Sequence, residues 1–156
     1  MSLEKVRDYL KQYNMENQIL EFNISSATVR EAAIAVGCNE NEIAKTLSFI
    51  VDEKPILIVV AGDCKIDNTK FKQYFNTKAK MIPFENVEKL IGHAVGGVCP
   101  FGVYPEVTTY LDESLKRFKY VYPACGNSNS AIKLTIPELE KTSNYSKWID
   151  VSKIIE

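Results

Sequence analysis

Seven residues in the middle of the chain, GGVCPFG (Gly96–Gly102), place three glycines and a proline around one cysteine. The adjacent glycines at 96 and 97 lack Cβ atoms, so the backbone there can approach a ligand closely and direct N–H groups at it. Pro100 fixes its own φ and favours an extended Cys99. Such a loop can donate fixed hydrogen bonds to a developing oxyanion. The alternative is a sharp bend between a helix and a strand, and the glycines alone do not decide between the two.

Lys45 is the second candidate for chemistry. It lies in AKTLSFIV, whose alternation predicts a β-strand with Lys45 on the same side as Leu47 and Phe49. A lysine in an apolar register is unusual unless its ammonium reaches a cleft or the end of the sheet. In a cleft the ammonium would stabilise a negative intermediate, whereas at a sheet end its stem would only cover apolar surface.

A thiol nucleophile is a third hypothesis, because His93 lies six residues before Cys99 and an imidazole can activate a thiol. The spacing matches no protease signature that we can name. The simpler interpretation is a histidine at a helix end and a small packed cysteine.

The elements that must position these residues follow from the hydrophobic pattern. AKTLSFIV and PILIVVAG flank the turn sequence DEKP and predict an antiparallel hairpin. Helices are predicted over residues 3–13, from Thr28 to a stop at Gly37, in IDNTKFKQYF with Phe71, Tyr74 and Phe75 facing inward, in ENVEKLIG and in TIPELEKT. Other strands are predicted at Ile19–Phe22 and in KAKMIPF, VTTYLD, KYVYPA and SAIKLT. The pattern is typical of an α+β domain with a mixed, strongly curved, barrel-like sheet flanked by helices.

The composition and length of the chain indicate what general class of protein it is. The 156 residues, 46% hydrophobic and 25% charged, are expected to form a single globular domain over 1–156. The charged start MSLEKVRDYLKQY is not signal-like and no apolar run is long enough to span a bilayer, so we expect a cytoplasmic protein with no membrane association. The four cysteines form no C-x-x-C pair, which predicts reduced thiols and no metal site.

Charge gives a weaker signal. The formal net charge of −1 creates no overall attraction to nucleic acid. Lysines are nevertheless concentrated between Lys65 and Lys80, where Asp67 is the one acidic residue. This cluster predicts either a solvated helix face or a surface that binds phosphates. The candidates for nucleic-acid binding are Lys70, Lys72, Lys78 and Lys80.

Three segments in a fixed order, IAKTLSFIV, GGVCPFG and CGNSNSAIKLT, together resemble the YbaK/prolyl-tRNA synthetase-associated editing domain family. The shared motifs are the Lys-Thr-Leu strand, the G-x-x-x-P loop from Gly96 to Pro100, and the late Gly-Asn segment that precedes a strand. The likeness extends from the Thr28 helix to about Trp148. It implies the α+β fold of that family.

The resemblance also implies an activity. The family hydrolyses the ester of an amino acid wrongly attached to tRNA, and a chain without a synthetase resembles its free-standing, trans-acting members. The implied catalytic groups are Lys45 and the backbone of Gly96 and Gly97, with a positioned water and no cofactor. Aminoacyl-tRNA is the implied partner, together with a transient association with a synthetase. The candidate substrate-binding residues are Thr46, Val98, Cys99, Pro100, Asp112, Gly126, Asn127, Ser128, Asn129 and Ser130.

One departure bears on the substrate. Some family members have a histidine in the late segment that helps to select the amino acid, and CGNSNSA contains none. Ser128, Asn129 or Ser130 would then select by hydrogen bonds. The expected substrate is tRNA for proline carrying alanine, cysteine or a similar small amino acid. The alternative is a protein that binds an aminoacyl-tRNA end or a small metabolite in the same cleft without catalysis. For Asp112, a solvated strand-end carboxylate is equally compatible with the sequence.

Overall fold

The computed structural model describes residues 2–155. The helices are α1 (Ser2–Leu10), α2 (Val29–Val36), α3 (Asn68–Phe75), α4 (Phe84–Ile91) and α5 (Ile136–Thr142). The strands are β1 (Ile19–Glu21), β2 (Ile43–Val51), β3 (Lys54–Ala61), β4 (Cys64–Ile66), β5 (Thr108–Asp112), β6 (Tyr120–Pro123), β7 (Ser130–Ile132), β8 (Leu134–Thr135), β9 (Lys147–Ile149) and β10 (Ser152–Ile154). Within residues 2–155, none of these helices is both long and apolar enough to cross a membrane.

A curled six-stranded sheet forms the centre of the molecule, in the order β8-β6-β2-β3-β5-β9. It is mixed, because β2 pairs antiparallel with β3 but parallel with β6, and β5 pairs parallel with both β3 and β9. The predicted α+β class with a curved mixed sheet is confirmed. Two short antiparallel ladders lie outside the sheet, β1 with β7 and β4 with β10.

The predicted hairpin is confirmed as β2 and β3. Its turn is shorter than DEKP, because Lys54 and Pro55 already belong to β3. Asp52 and Glu53 both have positive φ, 52° and 65°, as a two-residue type I′ turn requires. The tight turn fixes the register of β2 on β3, and therefore the place of Lys45 opposite Val60.

The hairpin is held rigidly because β3 is buried on both faces. Leu57 packs with Ile82 and Val87 on one face, and Ile58 packs with Phe71 on the other. Burial of each such side chain contributes about 1.5–3 kcal/mol. The strand that carries Lys45 is thus anchored to the best-packed part of the molecule.

Local signals predict most helix ends correctly. The Thr28 hydroxyl accepts from the Glu31 amide at the start of α2, and Gly37 ends that helix with φ +84°. The Glu31 carboxylate accepts from Ser25 Oγ, so the predicted capping box is half formed there. At α5 both halves of the Thr135–Glu138 box are present. At the N-terminus the α-helix ends at Leu10, and a 3₁₀ turn continues it to Tyr13.

Three strand or packing predictions are wrong. KAKMIPF is not a strand but an irregular segment with one β-bridge, between Met81 and Phe49, because its last two residues, Pro83 and Phe84, are the N-cap and the first residue of α4. SAIKLT divides into β7 and β8 at Lys133. Tyr74 is 42% exposed, although its ring contacts Phe75 edge-on. The three-residue strands β4, β9 and β10 were not predicted, because an alternating pattern cannot be detected over so few residues.

Candidate active site

A cavity of about 430 Å³ opens beside β2, within the size range of small-molecule sites. Its walls come from β2, α2, α4, β6, the start of β7 and the glycine loop, which comprises residues 95–102. The lining residues are Ser26, Ala27, Thr28, Val29, Ala32, Ile43, Ala44, Lys45, Thr46, Leu47, Ser48, Met81, Ile82, Phe84, Val87, Val95, Gly96, Val98, Tyr122, Ala124, Ser130 and Ala131. Lys45 is the one charged residue among them.

The cavity exists because one edge of β2 is incompletely paired. At one end β6 covers this edge as far as Ala44, which lies opposite Pro123. At the other end Ile50 N donates to Lys80 O (2.9 Å) and Ser48 O accepts from Ile82 N (3.1 Å). Between these two neighbours, the stretch from Lys45 to Leu47 pairs with β3 on one edge but has no strand of residues 2–155 on the other.

Thr46 therefore presents free peptide groups to the cavity. Alternate residues of a strand direct their N–H and C=O groups to the same side. Because Ser48 and Ile50 direct theirs away from β3, Thr46 does so as well. Its hydroxyl oxygen is also buried and has no hydrogen-bond partner within residues 2–155. A buried polar atom without a partner costs about 1–3 kcal/mol, which a ligand can recover by bonding to it.

Lys45 lines the same cavity, and its side chain leaves β2 on the face opposite to that of Thr46. None of the ion pairs within residues 2–155 includes the Lys45 ammonium. Partial burial lowers the Lys45 pKa, and this effect is opposed by Cys64 and Asp63. A partly desolvated ammonium without an ion-pair partner is suited to stabilise negative charge on a ligand.

The two adjacent glycines of the glycine loop, Gly96 and Gly97, have different surroundings. Gly96 lines the cavity with φ +97°, a conformation that favours glycine. Gly97 lies outside the cavity, where a Cβ would overlap with the backbone of Gly126 and Asn127. The Gly97 amide already donates to Ala94 O (3.0 Å), whereas those of Gly96 and Val98 have no acceptor within residues 2–155. The available donors of the loop are therefore at Gly96 and Val98.

The late segment Gly126–Ser130 acts mainly as a support. Ser128 O accepts from Ser26 N, and Asn129 exchanges two hydrogen bonds with the backbone of Phe22. Asn127 Oδ1 accepts from Asn129 N (3.2 Å) and from Ser130 Oγ (2.6 Å). Of the predicted residues in this segment, Ser130 alone lines the cavity. Ser128 supports the cavity wall directly through Ser26, and Asn129 bonds to Phe22 just before that wall.

The structure does not bring Cys99, Pro100 or His93 to the cavity surface. Cys99 and His93 are both fully buried, and Phe101 O accepts from the Cys99 thiol and from His93 Nε2. Burial raises the pKa of the Cys99 thiol to about 12, so it is protonated at neutral pH. Pro100 is buried next to it. This geometry disfavours the thiol nucleophile.

Asp112 lies elsewhere in the fold. Its buried carboxylate accepts from Ser114 N (2.9 Å), Val151 N (2.9 Å) and Ser152 Oγ (2.6 Å). It thereby joins the end of β5 to the C-terminal residues and does not line the cavity. The Asp112 carboxylate therefore has a structural role as the acceptor of three hydrogen bonds.

The four predicted nucleic-acid-binding lysines do not form one set. Lys70 is held by Asp150 (3.0 Å) and by Ser152 O (2.9 Å). Lys72 and Lys78 line a second, open cleft of about 630 Å³ beside α3. Lys80 is exposed, two residues beyond Lys78.

Sequence reasoning found five of the 22 residues in the cavity wall. Its apolar residues on α2, α4 and β6 include Val29, Ala32, Val87 and Tyr122. In the sequence these positions have the pattern of core residues, so nothing distinguishes a wall of the cavity from a wall of the core.

The profile of the aminoacyl-tRNA editing domain matches residues 25–142. That range contains the whole cavity lining, from Ser26 to Ala131. The chain belongs to the aminoacyl-tRNA editing domain family. The resemblance deduced from the sequence motifs is thereby confirmed.

Relatives of this editing domain include proteins of similar size. The chain is 51% identical over 154 residues to the uncharacterized protein YwhH of Bacillus subtilis, and covers 98% of both chains. It is 27% identical over 116 residues, 73% of this chain and 69% of the relative, to the "Putative Cys-tRNA(Pro)/Cys-tRNA(Cys) deacylase EbsC" of Enterococcus faecalis. A crystal structure described as "a putative trans-editing enzyme for prolyl tRNA synthetase" matches with a TM-score of 0.87 and 28% identity over 97% of both chains.

Proposed function

We propose that this editing domain is a trans-acting deacylase that hydrolyses the ester between a wrongly attached amino acid and its tRNA. One observation carries the proposal: Lys45 borders the same cavity as peptide groups of Thr46 and Gly96 that have no backbone partner within residues 2–155. These groups come from segments remote in the chain, and they are types that stabilise an oxyanion and orient an ester. The family of the chain supports the same reaction.

The reaction needs only a positioned water. Its oxygen adds to the ester carbonyl carbon, and the carbonyl oxygen becomes negatively charged. The amides of Gly96 and Val98 donate to that oxygen, and the Lys45 ammonium stabilises its charge in the partly dry cavity. When the ester C–O bond breaks, the ribose oxygen leaves and takes up the proton that the attacking water gives up. An aminoacyl ester is already activated, so no protein nucleophile is required.

The cavity also suits the amino acid. The α-amino group of the bound amino acid can donate hydrogen bonds to the Thr46 carbonyl and hydroxyl oxygens. The residues that line the cavity include no aspartate or glutamate that would pair with a charged side chain. The apolar walls favour a small uncharged side chain. We therefore propose alanine or cysteine on tRNA for proline as the substrate. The site of action is the cytoplasm, where a transient association with the synthetase would supply mischarged tRNA.

Lys72 and Lys78 are proposed to contact phosphates of the tRNA acceptor stem. They line one cleft, and the segment from Lys78 continues directly to Met81 and Ile82 of the cavity. Reversing both charges, in Lys72→Glu/Lys78→Glu, should weaken tRNA binding most at low salt. The slope of log K against log salt should fall by about 0.9 for each lost contact with duplex phosphate. An unchanged slope would remove this surface from the proposal.

The decisive experiment is a deacylation panel with purified protein and tRNAs carrying different amino acids. Turnover is expected for at least one small amino acid on tRNA for proline. Lys45→Ala should lower kcat about a hundredfold or more, because it removes the one charge of the cavity. The matched control is Lys147→Ala, a lysine exposed on β9. Binding without turnover across the panel would instead identify a non-catalytic binding protein.

A further inference from the structure

The mouth of the cavity has an apolar rim. Met81, Phe84 and Val95 are 58%, 76% and 47% exposed, and all three line the cavity. They come from three different places, namely the irregular segment after α3, the first residue of α4 and the glycine loop. Large exposed apolar side chains that gather at one opening mark a site for a ligand.

Phe84 is the most exposed of these residues, and it is held in place. Pro83 precedes it at the N-cap of α4 with φ −55°. The same helix is anchored by the buried side chains of Val87 and Ile91. The backbone of Phe84 is therefore fixed while its ring faces solvent, so a flat ligand can bind to it with little loss of conformational entropy.

We propose that Phe84 is a stacking platform for the 3′-terminal nucleobase of the substrate, with Met81 and Val95 at its sides. This inference rests on the proposed function. The base and the ester are attached to the same ribose, so a base lies one sugar away from an ester that is bound inside the cavity. The base is therefore expected at the mouth of the cavity. Stacking on an aromatic ring accepts any base, because every base has a π-face.

The surroundings of the rim favour a nucleic acid over a protein. Lys78 and Lys80 are exposed on the segment that leads to Met81, where they can meet the phosphates before the last nucleotide. The rim itself has three side chains, whereas a stable protein interface takes about 20–30 residues from each partner. A small apolar platform with cations beside it matches one stacked base and its backbone.

The test compares Phe84→Ala, Phe84→Leu and Phe84→Trp in the whole chain. Phe84→Ala should raise KM for the mischarged tRNA about tenfold and leave kcat unchanged. Phe84→Trp should restore KM, and Phe84→Leu should not, because it is apolar but has no ring. A second readout uses a short single-stranded RNA with 2-aminopurine at its 3′ end, whose fluorescence is quenched by stacking. The matched control is Ile34→Ala, 64% exposed on α2 outside the cavity lining.

Each outcome decides the proposal. Quenching by the wild type and by Phe84→Trp, but not by Phe84→Ala or Phe84→Leu, supports it. Unchanged KM and quenching in Phe84→Ala, or full rescue by Phe84→Leu, overturns it. A wild-type dimer that Phe84→Ala converts to a monomer would mean that a second copy of the chain occupies the rim, and would also overturn it. A wild type without deacylase activity would refute the proposed function, whereas the quenching comparison would still decide the platform.

Discussion

The backbone of Gly97 packs directly against that of Asn127, so closely that a Cβ on Gly97 would overlap with the Asn127 nitrogen. The glycine loop and the late Gly-Asn segment, thirty residues apart in the chain, thus form one packed unit. Gly97 provides the close approach, and its neighbour Gly96 faces the cavity. The two glycines have different roles, and substitutions should separate them.

Gly97→Ala should displace the loop from the late segment. The added methyl group meets backbone, which cannot rotate away, and such overpacking costs about 1–3 kcal/mol. Because the Gly96 and Val98 amides move with the loop, activity should fall together with the free energy of unfolding. Urea denaturation and deacylation rates measure the two effects. In the control Gly37→Ala nothing lies within 4 Å of the added Cβ, so any loss of stability there reflects only the strain of its φ of +84°, which Gly97 does not have.

Thr46→Val should separate stability from activity. Valine has nearly the same shape, and it removes a buried hydroxyl that has no partner within residues 2–155. The free energy of unfolding should therefore stay the same or rise by about 1 kcal/mol. Deacylation should slow because the substrate loses a hydrogen-bond partner. A large loss of stability in Thr46→Val would show that the hydroxyl is engaged in the folded protein and is not available to a ligand.

The sequence predicts the parts of the site that depend on local signals. Alternation over AKTLSFIV fixes the strand of Lys45, and adjacent glycines mark a loop that approaches other groups closely. The free peptide groups of Thr46 are different. They are left without partners because β6 ends beside Ala44 and because the hydrogen bonds from segment 80–82 to β2 begin only at Ser48. Nothing in the sequence near Thr46 carries that information, because it arises from the meeting of three distant segments.

The same limit explains the predicted residues that lie away from the cavity. Ser128 and Asn129 adjoin Ser130 in sequence, yet their polar groups bond to Ser26 and Phe22. Asp112 ends a strand, and its carboxylate is taken up by the C-terminal residues around Val151 and Ser152. A polar residue near a motif can bind a ligand or support a loop. Only tertiary contacts distinguish these roles.

Stability should fall below about pH 6.5 because of His93. The ring is fully buried, its Nε2 bonds to Phe101 O, and its Nδ1 has no partner within residues 2–155. Burial lowers the His93 pKa in the folded state, so the unfolded chain binds more protons as the pH falls through about 6.5. The free energy of unfolding should therefore decrease from pH 7.5 to pH 5.5.

Urea denaturation at several pH values measures this effect, and the assignment is simple because the chain has one histidine. In His93→Gln the same pH range should give a nearly constant free energy of unfolding. The depressed pKa values of Asp63 and Asp67 affect stability only at more acidic pH, below about 4. An equal pH dependence in the wild type and in His93→Gln would refute the assignment.

By pairing with Asp63, Arg117 should prevent an ion pair between the Asp63 carboxylate and the Lys45 ammonium. The Arg117 guanidinium contacts both carboxylate oxygens of Asp63 and lowers its pKa, while Asp63 is also close enough to raise the pKa of Lys45. In Arg117→Gln the carboxylate loses its partner and is free to pair with the Lys45 ammonium. Deacylation should then slow about tenfold, because a paired ammonium stabilises an oxyanion less well. The double variant Arg117→Gln/Asp63→Asn should recover most of the rate, since no carboxylate remains to compete. If the double variant is as slow as Arg117→Gln with both proteins folded, Arg117 acts through another contact, such as its bond to Ser114 O.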